Sequence, residues 1–180
     1  MAELHARWHH SMAELPADQW QDLVGEALPF YGWHWLHQLE RSGSIVPRQG
    51  WQPCHLALWR GERLVAVAPL YLKGHSYGEF VFDQSFARLA SDLGLRYYPK
   101  LVGMSPVSPV QGYRFWCAPG EDEALLTRRM LELIDDFCLE HRLLSCNFLY
   151  VDPAWQPLAE AAGCAAWVNQ QSIWSNPGYR

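Results

Sequence analysis

The apolar positions of this chain change their spacing at intervals, and each change predicts an element. Residues 4 to 15 read as a first strand. Pro16-Ala-Asp-Gln-Trp-Gln-Asp-Leu-Val24 then opens with proline and an early acid, as helix starts do. From Pro29 to Arg41, Tyr31, Trp35 and Leu39 recur at helical spacing with Leu36 beside them. Ser42-Gly43 stops that run, so an amphipathic helix is predicted. After Gln52 the spacing becomes that of a strand: Cys54, Leu56 and Leu58 alternate with His55 and Trp59. Arg60-Gly61-Glu62 turns the chain into Arg63 to Leu72, and a hairpin is predicted. Its second strand, LVAVAPLYL, is apolar on both faces, which fits a central strand, and Pro69 within it demands a bulge or a missing ladder bond.

Residues 84 to 93 predict a helix ending at Gly94, and Tyr97 to Gly103 and Tyr113 to Cys117 read as extended, separated by the turn-rich segment 105–112. The longest helix runs from about Glu121 to Arg142, with Leu126, Met130, Leu133, Ile134 and Phe137 as its buried stripe. A strand over 145–151 meets Asp152-Pro153, read as a helix start. Ala162-Gly163 ends that short helix, and Cys164 to Trp174 predicts a last strand. This alternation predicts an α/β (α+β) domain, with helices on both faces of a mixed, mostly antiparallel central sheet.

Composition narrows the picture. A chain of 180 residues suits one domain. Its 49% hydrophobic and 18% charged content and mean hydropathy of -0.19 are those of a folded protein, not a disordered one. The 10 Trp are more than a chain this size readily buries, which predicts that some line a groove or interface. A net charge of -5 argues against a surface that neutralises nucleic-acid phosphates, so no DNA partner is expected. No stretch approaches the roughly 18 apolar residues of a membrane span, and MAELHARWHH lacks a signal peptide's apolar centre, so a cytoplasmic location is expected. The 5 Cys are widely spaced with no C-x-x-C pair and read as free thiols. His34 and His37, with His9 and His10 elsewhere, lack an accompanying acid signature, and no metal site is expected.

The stretch PLYLKGHSYGEFVFD (69–83) holds the candidate chemistry. Gly74 and Gly78 flank His75-Ser76-Tyr77 and allow a sharp loop at strand ends. In a functional reading Glu79 or Asp83 is a base, His75 an acid/base or substrate contact, and Tyr77 or Tyr98 a proton donor. Catalytic candidates are then Glu79, His75 and Tyr98, with Lys73, Ser76, Tyr77, Asp83 and Lys100 as substrate contacts. The other reading is a tight connection whose Ser and His bond its own backbone, with the tyrosines packed by their rings.

The strings PFYGWHWLHQLERSGS (29–44), GWQPCHLALWRGERLVAVAPLYLKGHSYGEFVFD (50–83) and GLRYYPKLVGMSPVSPVQGYR (94–114) resemble the FemAB-like family of peptidoglycan biosynthesis or recognition proteins, which are predicted N-acyltransferases of the GNAT fold. The likeness weakens after Arg114 and recovers in Ile173 to Arg180. It implies a longer, two-half protein of which residues 1–180 form a single GNAT-like domain, the N-terminal half. It also implies an amine or peptide-like acceptor, and a donor that is either acetyl-CoA or another acyl-CoA, or an aminoacyl-tRNA. GNAT enzymes carry a glycine-rich turn before their long central helix, where Phe115-Trp-Cys-Ala-Pro-Gly-Glu-Asp-Glu123 stands here. The glycine-rich turn is absent, and three successive acids at the helix start would repel a polyanionic cofactor. The alternative is therefore a non-catalytic binding or scaffolding half that needs a second half or another copy of itself.

Overall fold

The long hairpin read from residues 52 to 72 organises the molecule. In the computed structural model, which describes residues 3–26, 28–77, 83–168, 174–175 and 177–178, each arm of that hairpin is broken once. One arm consists of β2 (Trp51–Pro53) and β3 (His55–Arg60), and the other of β4 (Arg63–Ala68) and β5 (Tyr71–Lys73). The two breaks, at Cys54 and at Pro69-Leu70, lie opposite each other, and the Cys54 N–H donates to the Leu70 carbonyl at 2.8 Å. Pro69 has no N–H for the ladder, so the strands bend there and part company with their neighbours.

The consequence is two four-stranded sheets where the sequence suggested one. The first joins β1 (Leu4–His9), β3, β4 and β7 (Trp116–Cys117) in that order. The second joins β2, β5, β6 (Lys100–Gly103) and β8 (Cys146–Phe148). Every pairing between strands is antiparallel except β6 with β8. The segment 113–117 and the segment 146–151 meet in a parallel bridge at Tyr113 and Val151, and then diverge, one into each sheet.

Helices cover both faces. α1 (Ala17–Val24) and α2 (Trp33–Arg41) lie on one side, where the Trp20 ring meets the His55 ring edge-on at 6.2 Å. α4 (Glu123–Glu140) lies on the other, where Phe137 stacks on Trp8 of β1 at 4.2 Å. α3 (Gln84–Asp92) follows the second sheet's β5, and α5 (Gln156–Ala161) packs against α4. Leu126, Met130, Ile134 and Phe137 of α4 are buried as the stripe predicts, while Leu133 is only half-buried at its rim.

Several expectations are corrected. β1 stops at His9 because Ser11 caps a 3-10 turn at Met12–Glu14, its Oγ accepting from the Ala13 N–H at 3.1 Å. Tyr31 sits in a separate 3-10 turn before α2, and Trp35 on that helix is exposed, so Leu36 is the residue α2 buries. Asp152 Oδ1 accepts from the Ala154 N–H, and the short helix starts later, at Gln156. Residues 164–168 form no strand, and 169–173 of that expected strand lie outside the described residues.

Half of the tryptophans are core. Trp20, Trp51, Trp59, Trp116 and Trp155 are none of them more than 7% exposed. The indole N–H groups of Trp20 and Trp155 find acceptors inside, at the Tyr31 carbonyl (3.0 Å) and Thr127 Oγ1 (3.2 Å). That satisfies the polar edge which otherwise keeps tryptophan near the surface. Only Trp35, Trp167 and Trp174, of those described, stand exposed.

Candidate functional site

Three side chains form a row across the second sheet. Trp51 pairs in register with Lys73, and Lys73 with Lys100, on neighbouring antiparallel strands. Both lysines are buried, at 0% and 2% exposure. Two like charges directly opposite each other in a sheet destabilise it unless something compensates. Lys73 Nζ lies 3.6 Å from the centre of the Trp51 ring, a cation–π contact. Lys100 Nζ lies 2.6 Å from Oδ2 of Asp83 and donates to the Tyr97 hydroxyl at 3.0 Å.

Asp83 collects the rest of the cluster. Its Oδ1 accepts from the Tyr98 hydroxyl at 3.0 Å and its Oδ2 from the Ser76 hydroxyl at 3.2 Å. Burial raises its pKa, but the hydrogen bonds and charge of Lys100, with Tyr98 and Ser76, outweigh that and hold the carboxyl below its usual range. Burial pushes the Tyr98 phenol up to about 12. The structure thus unites Ser76, Asp83, Tyr98 and Lys100, four residues the sequence nominated, in one buried network. As placed, the Tyr98 proton points at Asp83, and Asp83 is fully engaged by three donors. Chemically this is a locked ion pair that fastens the entry of α3 to the sheet.

The exposed chemistry lies just before it. Tyr77 is 81% exposed, and its ring centre is 5.4 Å from that of His75. The His75 ring rests on Gly50, where an added Cβ would come within 2.8 Å of the imidazole, and the Gly74 N–H donates to the Gly50 carbonyl at 3.0 Å. Nδ1 of His75 is buried and has no hydrogen-bond partner among the described residues. Glu79 lies outside the described residues.

Sequence reading missed a second network, at the break in the hairpin. Ser11 Oγ donates to Glu40 Oε2 at 2.7 Å, and the Met12 N–H donates to the same carboxylate at 3.0 Å. Glu40 Oε1 is 3.4 Å from Nε2 of fully buried His55. The only signal available was a histidine on an otherwise apolar strand, opposite a proline.

The start of α4 is also closed by the chain's own groups. Asp122 Oδ1 accepts from the Leu125 N–H at 3.0 Å, Glu121 is paired with Arg60 at 2.9 Å, and Glu123 with Arg114, which also reaches Asp152. Among the described residues no group of three or more His, Cys, Asp or Glu could hold a metal ion. No helix there is long and apolar enough to cross a membrane.

With this geometry in hand, comparison with known proteins decides the family. Residues 11–180 match the FemAB-like family, described as peptidoglycan biosynthesis/recognition. The chain belongs to that family. No curated protein sequence matches this FemAB-like chain. Among solved structures, a ribosomal-protein-alanine N-acetyltransferase from Brucella melitensis biovar Abortus is similar at a TM-score of 0.56 and 14% identity, covering 96% of this chain and 100% of that one. A GCN5-related N-acetyltransferase from Ralstonia eutropha is similar at 0.53 and 10%, covering 96% and 99%. An aminoglycoside 6'-N-acetyltransferase from Acinetobacter baumannii is similar at 0.52 and 8%, covering 98% and 100%. The FemAB-like domain therefore has the GNAT acetyltransferase fold.

That fold implies an acyl-CoA cofactor, with its pyrophosphate at the N-terminus of the long helix. The residues here do not fit one. Three carboxylates stand at that helix start, and two guanidinium groups beside it, Arg60 and Arg114, are already paired with them.

Proposed function

We propose that this FemAB-like domain is the acceptor-binding part of an N-acyltransferase acting on amine groups of peptidoglycan precursors or similar peptides. The observation that carries this reading is the locked Lys100–Asp83 pair. A buried ion pair bonded to Ser76 and Tyr98 is a costly way to hold a connection, and it fixes the loop that presents His75 and exposed Tyr77. In the transfer an amide bond forms to the acceptor nitrogen as the donor's ester or thioester bond breaks, and the amine gives up a proton. His75, whose ring lies next to that of exposed Tyr77, is the described candidate to receive it, with Glu79 four residues on in sequence. Lys73 supports the floor of the site through Trp51. The reaction belongs to the cytoplasmic side, where such precursors are made, and a second acyltransferase-like half or another copy of the chain completes the cleft.

A soluble peptidoglycan stem peptide with a free lysine amine tests this by calorimetric titration. Saturable binding is expected, weakened about tenfold (~1.4 kcal/mol) by Tyr77→Ala without a change in melting temperature. Equal affinity of wild type and Tyr77→Ala, or no binding at all, overturns it. The closed start of α4 favours a second reading, a scaffolding half without turnover, in which the peptide binds but no acyl transfer follows.

A further inference from the structure

We infer that this domain does not itself hold a coenzyme A thioester, an inference that stands apart from the acceptor reading above.

A polyphosphate bound at a helix start needs several free backbone N–H groups and a positive field. In the turn leading to α4, the Ala118 N–H bonds the Val65 carbonyl at 2.8 Å, Pro119 has none, and the Glu121 N–H bonds the Ala118 carbonyl at 3.1 Å. Within the first turn, the Leu125 N–H is taken by Asp122 Oδ1 and the Leu126 N–H by the Asp122 carbonyl. The positive end of the helix dipole is met by Glu121, Asp122 and Glu123, so a pyrophosphate there would face three carboxylates. Arg60 holds Glu121 through Nε and Nη2, and Arg114 holds both Glu123 and Asp152, so recruiting either guanidinium would strand an acid.

The space between the segments on either side of α4 is filled too. Where segments 113–117 and 146–151 diverge, Phe115 from one and Phe148 from the other bring their ring centres to 5.4 Å. Trp155 closes on them at 4.7 and 5.8 Å, and Tyr113 stacks on Phe148 at 5.7 Å. Phe115, Trp155 and Tyr113 are fully buried, and Trp155 is pinned to Thr127 of α4 through its indole N–H. A ligand entering here would displace buried core aromatics, whose loss is among the most destabilising of core changes.

The experiment titrates the full chain, shown folded by a cooperative melt, with free CoA, acetyl-CoA and inorganic pyrophosphate in parallel with the stem peptide. No saturable binding of the three phosphate probes tighter than about 1 mM is expected, alongside saturable peptide binding. Saturable CoA or acetyl-CoA binding at micromolar concentration overturns the inference whatever the peptide does. If neither class of probe binds, the exclusion of CoA is upheld and the acceptor reading falls, so the two failures are distinguishable.

Discussion

The backbone N–H of Leu70 donates to Nδ1 of His55 at 3.2 Å, across the point where Pro69 interrupts the hairpin. An imidazole that accepts at Nδ1 carries its proton at Nε2, and Nε2 is the atom facing Glu40 at 3.4 Å. One buried ring thus satisfies an N–H that lost its place in the ladder and a carboxylate from α2. Glu40 in turn accepts from Ser11 and Met12, so the end of β1, α2 and both arms of the hairpin meet at one point.

Replacing His55 by Ala should leave the Leu70 N–H and the Glu40 carboxylate short of a partner inside the protein. The expected loss is about 2–4 kcal/mol of unfolding free energy in urea titration, from the orphaned groups and the vacated volume. Glu40→Gln, which keeps the shape and an acceptor, should cost less. A His55→Ala loss no larger than that of a surface substitution would show that the network is not formed.

Lys100→Met should be among the most destabilising single changes, at about 3–5 kcal/mol, because it leaves Asp83 buried without its cation. The double variant Lys100→Met with Asp83→Leu should recover part of that loss, since no charge is then stranded. Chemical denaturation of the single and double variants measures the coupling directly.

Asp83 also predicts acid sensitivity. Its folded-state pKa lies below the ordinary value of 3.8, so the stabilisation it contributes is present above that value and is lost as pH falls through the lower, folded value. Glu40 is shifted the same way: burial raises it, and the bonds from His55 and Ser11 more than reverse that. Stability measured from neutral pH into this acid range should fall, and Asp83→Asn should flatten part of the slope. An unchanged slope in that variant counts against the ion pair.

Gly103→Ala tests the joint between the sheets. A Cβ there would lie 2.3 Å from the ring and hydroxyl of Tyr113, whose hydroxyl donates to the Pro69 carbonyl at 3.1 Å. Tyr113 would have to move and give up that bond, so a loss of about 1–3 kcal/mol is expected, read as a lower thermal midpoint.

Much of this was legible in the chain. The two-residue turn at Gly61-Glu62, the helical stripe of α4 and the interruption at Pro69 each follow from local rules of spacing and backbone chemistry. The polar run within 69–83 was also recognisable between two apolar segments of the sequence. The partners were not, because Ser76, Asp83, Tyr98 and Lys100 approach only once β5 and β6 pair and α3 begins.

By itself, then, the sequence determined the family, the mixed helix and strand order, and the unfavourable charge at the start of α4. Those depend on neighbours along the chain. Only the tertiary structure decided that Pro69 divides one sheet into two and that half of the tryptophans are buried. It alone brought His55 to Leu70 and Glu40, and set Phe115 against Phe148 and Trp155. The reason is physical: which buried polar group meets which partner is fixed by strand register and helix docking, and neither is written in local spacing.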